Sequence, residues 1–459
     1  MPTFARRISP RLRGVALLLF LYPAAPATAA EITAVADAAD GDDPYDARVE
    51  LLYSRTLRRA KVTREFNCNF DDSPDTCPSA RPGVGEMVYA KELRVQRWTH
   101  ALTPRAELGI WHDLALRVEM PIVLDDTQEV RFAGDGGDPD GVAVDGQIST
   151  IAPDALPGET ENPPDLFPVP PQLPTRAGFG DMSLSLRWSP FNQERDEARA
   201  TWTLFFTWGL PTGKIMRPGN DGVGRGLHTL TLGTAMSRRF EHVDPYFSMS
   251  GSLYVPSSSS MFKDYKFAQE EIGPGGVGTF EVGAEIVPFE QVGRRYVKIF
   301  LDLGLGAEYH AEGRNYTDLF DAFAFGGRNC ALGEAAPRNV GCYNPDSNSE
   351  LHGQAFDGIT TVEQFGVVRG HLGLGAYFSQ YVKFMVDLSL AHETEHFASS
   401  ADVGKDLDGS GLVENRDDPD FNADEQNPTY VAAIDAAGRR LRFEETTVFT
   451  LAIGLGGQF

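Results

Sequence analysis

From residue 48 to the end, the chain alternates apolar and polar positions with a period of two. In "YVKIFLDLGLGAEYH", Val297, Ile299, Leu301, Leu303 and Leu305 oppose Lys298, Phe300, Asp302, Gly304 and Gly306. In "VVRGHLGLGAYFS", Val368, Leu372, Leu374 and Phe378 oppose Arg369, His371, Gly373 and Tyr377, and "YVKFMVDLSL" sets Phe384, Val386 and Leu388 against Lys383, Met385 and Asp387. The last residues, "ETTVFTLAIGLGGQF", place Phe449, Leu451, Ile453, Leu455 and Phe459 on one face with small or polar residues on the other. Strands present alternate residues to opposite faces, so each run predicts a strand with one greasy side. Twelve such runs are legible, near 48–63, 87–98, 113–131, 179–190, 201–210, 227–240, 246–256, 278–289, 297–310, 366–378, 382–392 and 441–459.

The spacing alternates too. Connections at 191–200, 241–245, 290–295 and 379–381 are short, whereas 133–177, 257–276, 312–363 and 399–438 are long and rich in Gly, Pro, Asp and Asn. A soluble sandwich would bury its apolar faces against each other. Here Lys298, Asp302, Arg369, His371, Lys383 and Asp387 stand at mid-strand between apolar residues. Such charges need a watery interior, and closure into a barrel pairs every backbone group. Each run is also about the nine to eleven residues that a tilted strand needs to cross hydrocarbon. The expectation is an all-β, transmembrane antiparallel barrel of about twelve strands with long extracellular loops, lined by those six residues. An even strand count puts both termini in the periplasm.

The N-terminus fits export. Arg6, Arg7, Arg11 and Arg13 precede "GVALLLFLY" and an Ala27-x-Ala29 cleavage signature, so 1–30 reads as a signal peptide. Residues 31–47 then form a short periplasmic segment, too short and acidic to plug a barrel, and 48–459 form the barrel. Net charge is −24, and loss of the four leader arginines takes it to about −28, which argues against nucleic-acid partners. The expected partners are outer-membrane lipid, the barrel-assembly machinery and a small-molecule solute; the sequence does not specify the oligomeric state. Cys68 with Cys77 and Cys330 with Cys342 form local pairs in turn-rich stretches, the arrangement of two loop disulfides in an exported chain.

Three motifs invite chemistry. "HETEH" at 392–396 matches a zinc-protease pattern that works on a helix; on a strand His392 and His396 lie about 13 Å apart, too far to share a metal. "GLPTGK" at 209–214 lacks the spacing of a phosphate-binding loop and reads as a strand end and turn. "DLDGSGLVENRD" at 406–417 sets Asp406, Asp408 and Ser410 at positions 1, 3 and 5 of a calcium loop. Gly411 takes the turn position, the Leu412 carbonyl position 7, Glu414 position 9 through water and Asp417 position 12. The other reading is a solvated acidic turn. The loop resembles those of EF-hand and dockerin proteins, and the resemblance implies Ca²⁺; the chain requires no other cofactor. With ten acidic and two basic residues over 401–438, this loop is expected to repel itself and stay mobile.

"GFGDMSLSLRW" at 178–188 together with "GLPTGK" resembles the MetA-like barrels of phenol-degradation pathways, within the long-chain fatty-acid transporter superfamily. The similarity spans roughly 178–300 and implies an outer-membrane channel or transporter for small, hydrophobic solutes. Two other readings stand beside it. One is a closed structural or adhesive barrel; the other is an outer-membrane lipid hydrolase, which needs a Ser/His/Asn set that the sequence does not offer. The chain is therefore read as a non-enzyme of the outer membrane.

Overall fold

A computed structural model describes residues 30–38, 46–68, 86–134, 149–151, 166–291, 296–324, 357–379, 381–413 and 419–458. The leader, the side chain of Cys68, Cys77, Cys330, Cys342, Glu414, Asp417 and Phe459 lie outside them, and with them the expected disulfides.

Twelve strands follow one another around the wall. They are β1 (Ala47–Cys68), β2 (Glu86–Trp111), β3 (Leu114–Glu119 continued by Ile122–Phe132) and β4 (Arg176–Phe179 continued by Met182–Phe191). Next come β5 (Thr201–Leu210), β6 (Leu227–Ser237), β7 (Val243–Pro256) and β8 (Val277–Gln291). The last four are β9 (Val297–His310), β10 (Phe365–Ser379), β11 (Val382–Glu393) and β12 (Leu441–Gln458). Each pairs antiparallel with its neighbours, and β1 pairs with both β2 and β12, so the sheet has no edge. The closing seam runs from Arg48↔Gln458 to Arg64↔Leu441, with a bulge between Arg59 and Lys61. The break in β3 falls at Pro121, which has no N–H to donate to a ladder. The Gly180 N–H reaches the Pro121 carbonyl at 2.8 Å and carries the wall across the gap.

The alternation resolves into two surfaces. Leu232, Leu305 and Leu455, with relative exposures of 68%, 64% and 58%, point outward with a belt of Val, Phe and Trp. A continuous belt of that kind is too large for a surface in water and fits the hydrocarbon of a bilayer. No helix among the described residues is long and apolar enough to cross a membrane; the strands do so. Closure, the apolar belt, and short turns at the end that holds both termini are the build of outer-membrane barrels, and the chain is an integral barrel of that membrane.

Strands β1 and β2, at 22 and 26 residues, are far longer than hydrocarbon requires. Their excess rises at the end opposite the termini. There the inner face turns apolar, and Val62, Leu93 and Val95 pack against Phe443 of β12 and against Phe167 and Phe323 from the connecting segments. The loop at 399–438 belongs to this packing: Ala398, Ala433 and Ile434 are buried in the same cluster. Ala398 just before the loop and Ala433 and Ile434 near its end thus anchor it in the mouth, while residues 402–412 lie mostly exposed between them.

Candidate functional site

The inward face carries the polar set. Around the middle of the wall, His371 Nε2 lies 3.3 Å from Asp302, His371 Nδ1 lies 3.7 Å from Glu281, and the Tyr246 hydroxyl donates to Asp302 at 2.9 Å. Asp387 lies opposite Gly373 and completes this acidic girdle. Arg369 pairs with Glu308 nearer the long-loop end, while Lys298 faces Glu285 at 3.9 Å near the short turns. The six residues singled out in the sequence thus sit on the inner wall. Lys298, Asp302, Arg369 and His371 pair with side chains of other strands along the wall, while Lys383 pairs with Glu31 of the N-terminal segment. Glycines make this possible. A Cβ on Gly304 would lie 2.2 Å from the His371 ring, and one on Gly375 would lie 2.0 Å from the ring of Phe300. The His371 and Phe300 rings therefore lie flat against the wall over these glycines.

The short-turn end is closed by a segment the sequence did not mark. Residues 30–38 run inside the barrel, and Ala30, Thr33 and Ala36 are wholly buried. The segment is held mostly through its backbone. Arg187 donates to the Ile32 carbonyl at 2.9 Å, Thr203 donates to the Thr33 carbonyl at 2.8 Å, and Ala36 N–H donates to Glu107 at 2.8 Å. Thr33 and Ser237 hydroxyls meet at 2.7 Å. Glu31 is the charged clasp. Its carboxylate accepts from Lys383 Nζ at 2.6 Å and from the Tyr377 hydroxyl, and its N–H donates to Glu285 at 2.5 Å. Burial works to raise the Glu31 carboxyl, but the charges of Lys383 and Lys298 and the hydrogen bonds from Lys383 and Tyr377 outweigh it and hold it at about 2. The N-terminal segment reads in sequence as too short to plug the barrel; residues 30–38 nonetheless lie inside it, where the wall supplies donors and acceptors to their backbone.

At the other mouth a second cover folds inward. A short helix, α1 (Phe320–Ala324), is buried over its whole length. Two aspartates tie this element to arginines of the inner wall. Asp318 lies 2.8 Å from Arg58 and 3.5 Å from Arg97, and Asp321 lies 2.7 Å from Arg176. Arg97 and Asp126 form a bidentate pair at 2.8 and 2.6 Å beside them. A small cavity remains here, lined by Leu173, Met216, Tyr316 and Phe320 together with Arg97 and Arg176.

The remaining motifs fall into place. The Asp181 carboxylate accepts the Gly213 N–H at 2.9 Å and the Arg225 N–H at 3.0 Å, so "GFGD" and "PTGK" are two halves of one joint in the wall. In "HETEH", His392 is exposed while His396 is buried and stacks on Phe365 with ring centroids 4.1 Å apart. The two histidines share no site. In the calcium-like loop, Asp406 and Asp408 are brought beside Glu425, a residue the sequence pattern did not include.

The chain matches no protein-family model and no curated protein in sequence. Among solved structures, it is similar to the COG4313 outer membrane channel from Pseudomonas putida F1, with TM-score 0.39, 10% identity, and coverage of 90% of this chain and 95% of that one. A Pseudomonas aeruginosa FadL homologue gives TM-score 0.29 and 8% identity over 90% of each chain. The CymD monoaromatic hydrocarbon channel gives 0.26 and 8% over 90% of this chain and 88% of that one.

Proposed function

We propose that the barrel is a gated channel for small solutes with an apolar body and a polar end. One observation carries this reading: the lumen is packed at both ends and wet between them. Near the short turns, Glu285 and Lys298 side chains are 1% and 3% exposed beneath the 30–38 segment. At the far mouth Asp318 is 3% exposed beneath α1. Between these layers Asp302 and Glu281 keep about a quarter of their side-chain surface open, at 25% and 26%. A barrel meant only as a structural wall would be filled throughout, as the narrow eight-stranded kind is. Twelve strands leave a chamber, and the two covers rest on ion pairs and hydrogen bonds that a solute or a shift of the segment can replace. The lining of the small outer cavity mixes Leu173, Met216 and Phe320 with Arg97 and Arg176, so a solute that displaces the outer cover meets apolar and charged groups together.

The test is reconstitution into planar bilayers and liposomes. Full-length protein should give small, well-defined conductance and admit small aromatic acids or alcohols faster than sugars of equal size. Removal of residues 30–38 should raise conductance severalfold. Silent membranes from both proteins, with the barrel correctly inserted, would return it to the closed structural class.

A further inference from the structure

The loop that carries "DLDGSG" holds a carboxylate with an oxygen for which the described residues offer no hydrogen-bond partner. Glu425, on a single 3₁₀ turn (Ala423–Glu425), has no exposed surface. One of its oxygens, Oε1, accepts the N–H groups of Leu407 and Asp408 at 2.9 and 3.0 Å. The other, Oε2, is buried without a hydrogen-bond partner. A buried anionic oxygen with no donor is strongly unfavourable unless a cation meets it. Lys405, the basic residue nearest in the described loop, is committed to Glu270 at 3.2 Å.

Two further carboxylates lie beside Glu425. Ligand oxygens of Asp406, Asp408 and Glu425 all lie within 4.8 Å of one another. Ca²⁺ accepts an irregular set of oxygen ligands, whereas Mg²⁺ demands near-ideal octahedral geometry that three carboxylates from two turns do not impose. All the donors are oxygens, which disfavours zinc and other softer metals. The local backbone is already wound for the task. Asp406 accepts the N–H groups of Gly409 and Gly411 at 2.6 and 2.7 Å, with both glycines at positive φ.

We propose that Asp406, Asp408 and Glu425 bind one Ca²⁺ ion on the outer face of the barrel, with Glu425 closing the site from the neighbouring turn. The consequence differs from the sequence pattern, in which Asp417 would close a self-contained twelve-residue loop. Glu425 also accepts from the start of the loop, so the ion would join Asp406–Ser410 to the 3₁₀ turn and lock the cover that Ala433 and Ile434 anchor in the mouth. Millimolar extracellular calcium suffices for a site of this kind, whose expected Kd is about 0.1–1 mM.

Calorimetric titration of the chelator-stripped, detergent-solubilised barrel with CaCl2 and MgCl2 tests this, with protease nicking of the 399–438 loop as a second readout. Full-length protein should bind one Ca²⁺, show little response to Mg²⁺, and resist nicking when calcium is present. Glu425→Gln and Asp408→Asn should each weaken binding at least tenfold and abolish protection, while Asp417→Asn and Asp420→Asn stay within threefold of the parent. Asp408 is exposed, so its variant tests the site even if Glu425→Gln disturbs folding; heat-modifiable migration checks the barrel in each. Calcium binding that survives Glu425→Gln in a folded barrel, or that Asp417→Asn removes, would overturn the assignment. So would the absence of any calcium response.

Discussion

Replacing Glu31 by Gln should loosen the inner closure while leaving the barrel intact. The side chain keeps its size and one acceptor but loses the charge that Lys383 holds at 2.6 Å. A hydrogen bond between charged partners contributes about 1.5–3 kcal/mol, and the lowered Glu31 carboxyl keeps this pair charged in the seated segment at neutral pH. Glu31 retains 25% of its side-chain surface, so water in the lumen screens part of that, and about 1.5 kcal/mol is the usable share. The ratio of seated to released segment should then fall roughly tenfold. Single-channel recording reads this directly, as the fraction of time spent in a large-conductance state. The pH dependence has a definite sign. The seated pKa lies below the free one, so the clasp is at full strength above about pH 4.5 and is lost as pH falls from there towards 2. The parent channel should open more often across that window, and Glu31→Gln should respond far less. Lys383→Met should resemble Glu31→Gln, and the double variant should add little to either. Equal open fractions in parent and Glu31→Gln at neutral pH would refute the clasp.

Three further outcomes follow from the wall itself. Cysteine at 369 should react with membrane-impermeant maleimide and cysteine at 384 or 386 only with lipid-soluble reagents, whereas cysteine at 383 should label slowly until residues 30–38 are removed; reversed labelling would mean a register shifted by one residue. Gly375→Ala should lower stability by about 1–3 kcal/mol through overpacking against Phe300, measured by denaturant midpoint, and Phe300→Ala in the same chain should restore most of it. Asp181→Ala strands the N–H groups of Gly213 and Arg225 and should cost about 2–3 kcal/mol locally, seen as faster protease cleavage within 211–226 while the barrel band persists.

The strands were legible because membrane crossing imposes a strict period of two. Lys298 between Val297 and Ile299, or Asp387 between Val386 and Leu388, has only one face on which its charge is tolerable. The inner segment was not legible for the opposite reason. "AEITAVADA" has no periodicity, and its hold comes from carbonyls at Ile32 and Thr33 and an N–H at Ala36, groups every residue owns. Only the matching donors, Arg187 and Thr203, single it out, and they are 155 and 170 residues away. The outer cover left a fainter trace. Leu319, Phe320 and Phe323 form an apolar knot inside an otherwise polar connection, which signals burial without saying where. Glu425 was hidden by its spacing: it lies 17 residues beyond Asp408 and reaches it only because the loop turns back.

The seam between β1 and β12 has a consequence for how the molecule is built. It joins Thr56 to Thr450 by their hydroxyls, 394 residues apart, so it is the least local pairing in the wall and the last that chain entropy favours. The segment that closes the inner end is covalently continuous with β1, one side of that seam. A segment that lies within the curl of the sheet before the two strands zip would be enclosed by their pairing, and its contacts with Arg187 and Thr203 would form on strands not yet sealed. On the proposed channel reading, a variant that weakens those contacts would leak from the moment of assembly, before any solute arrived.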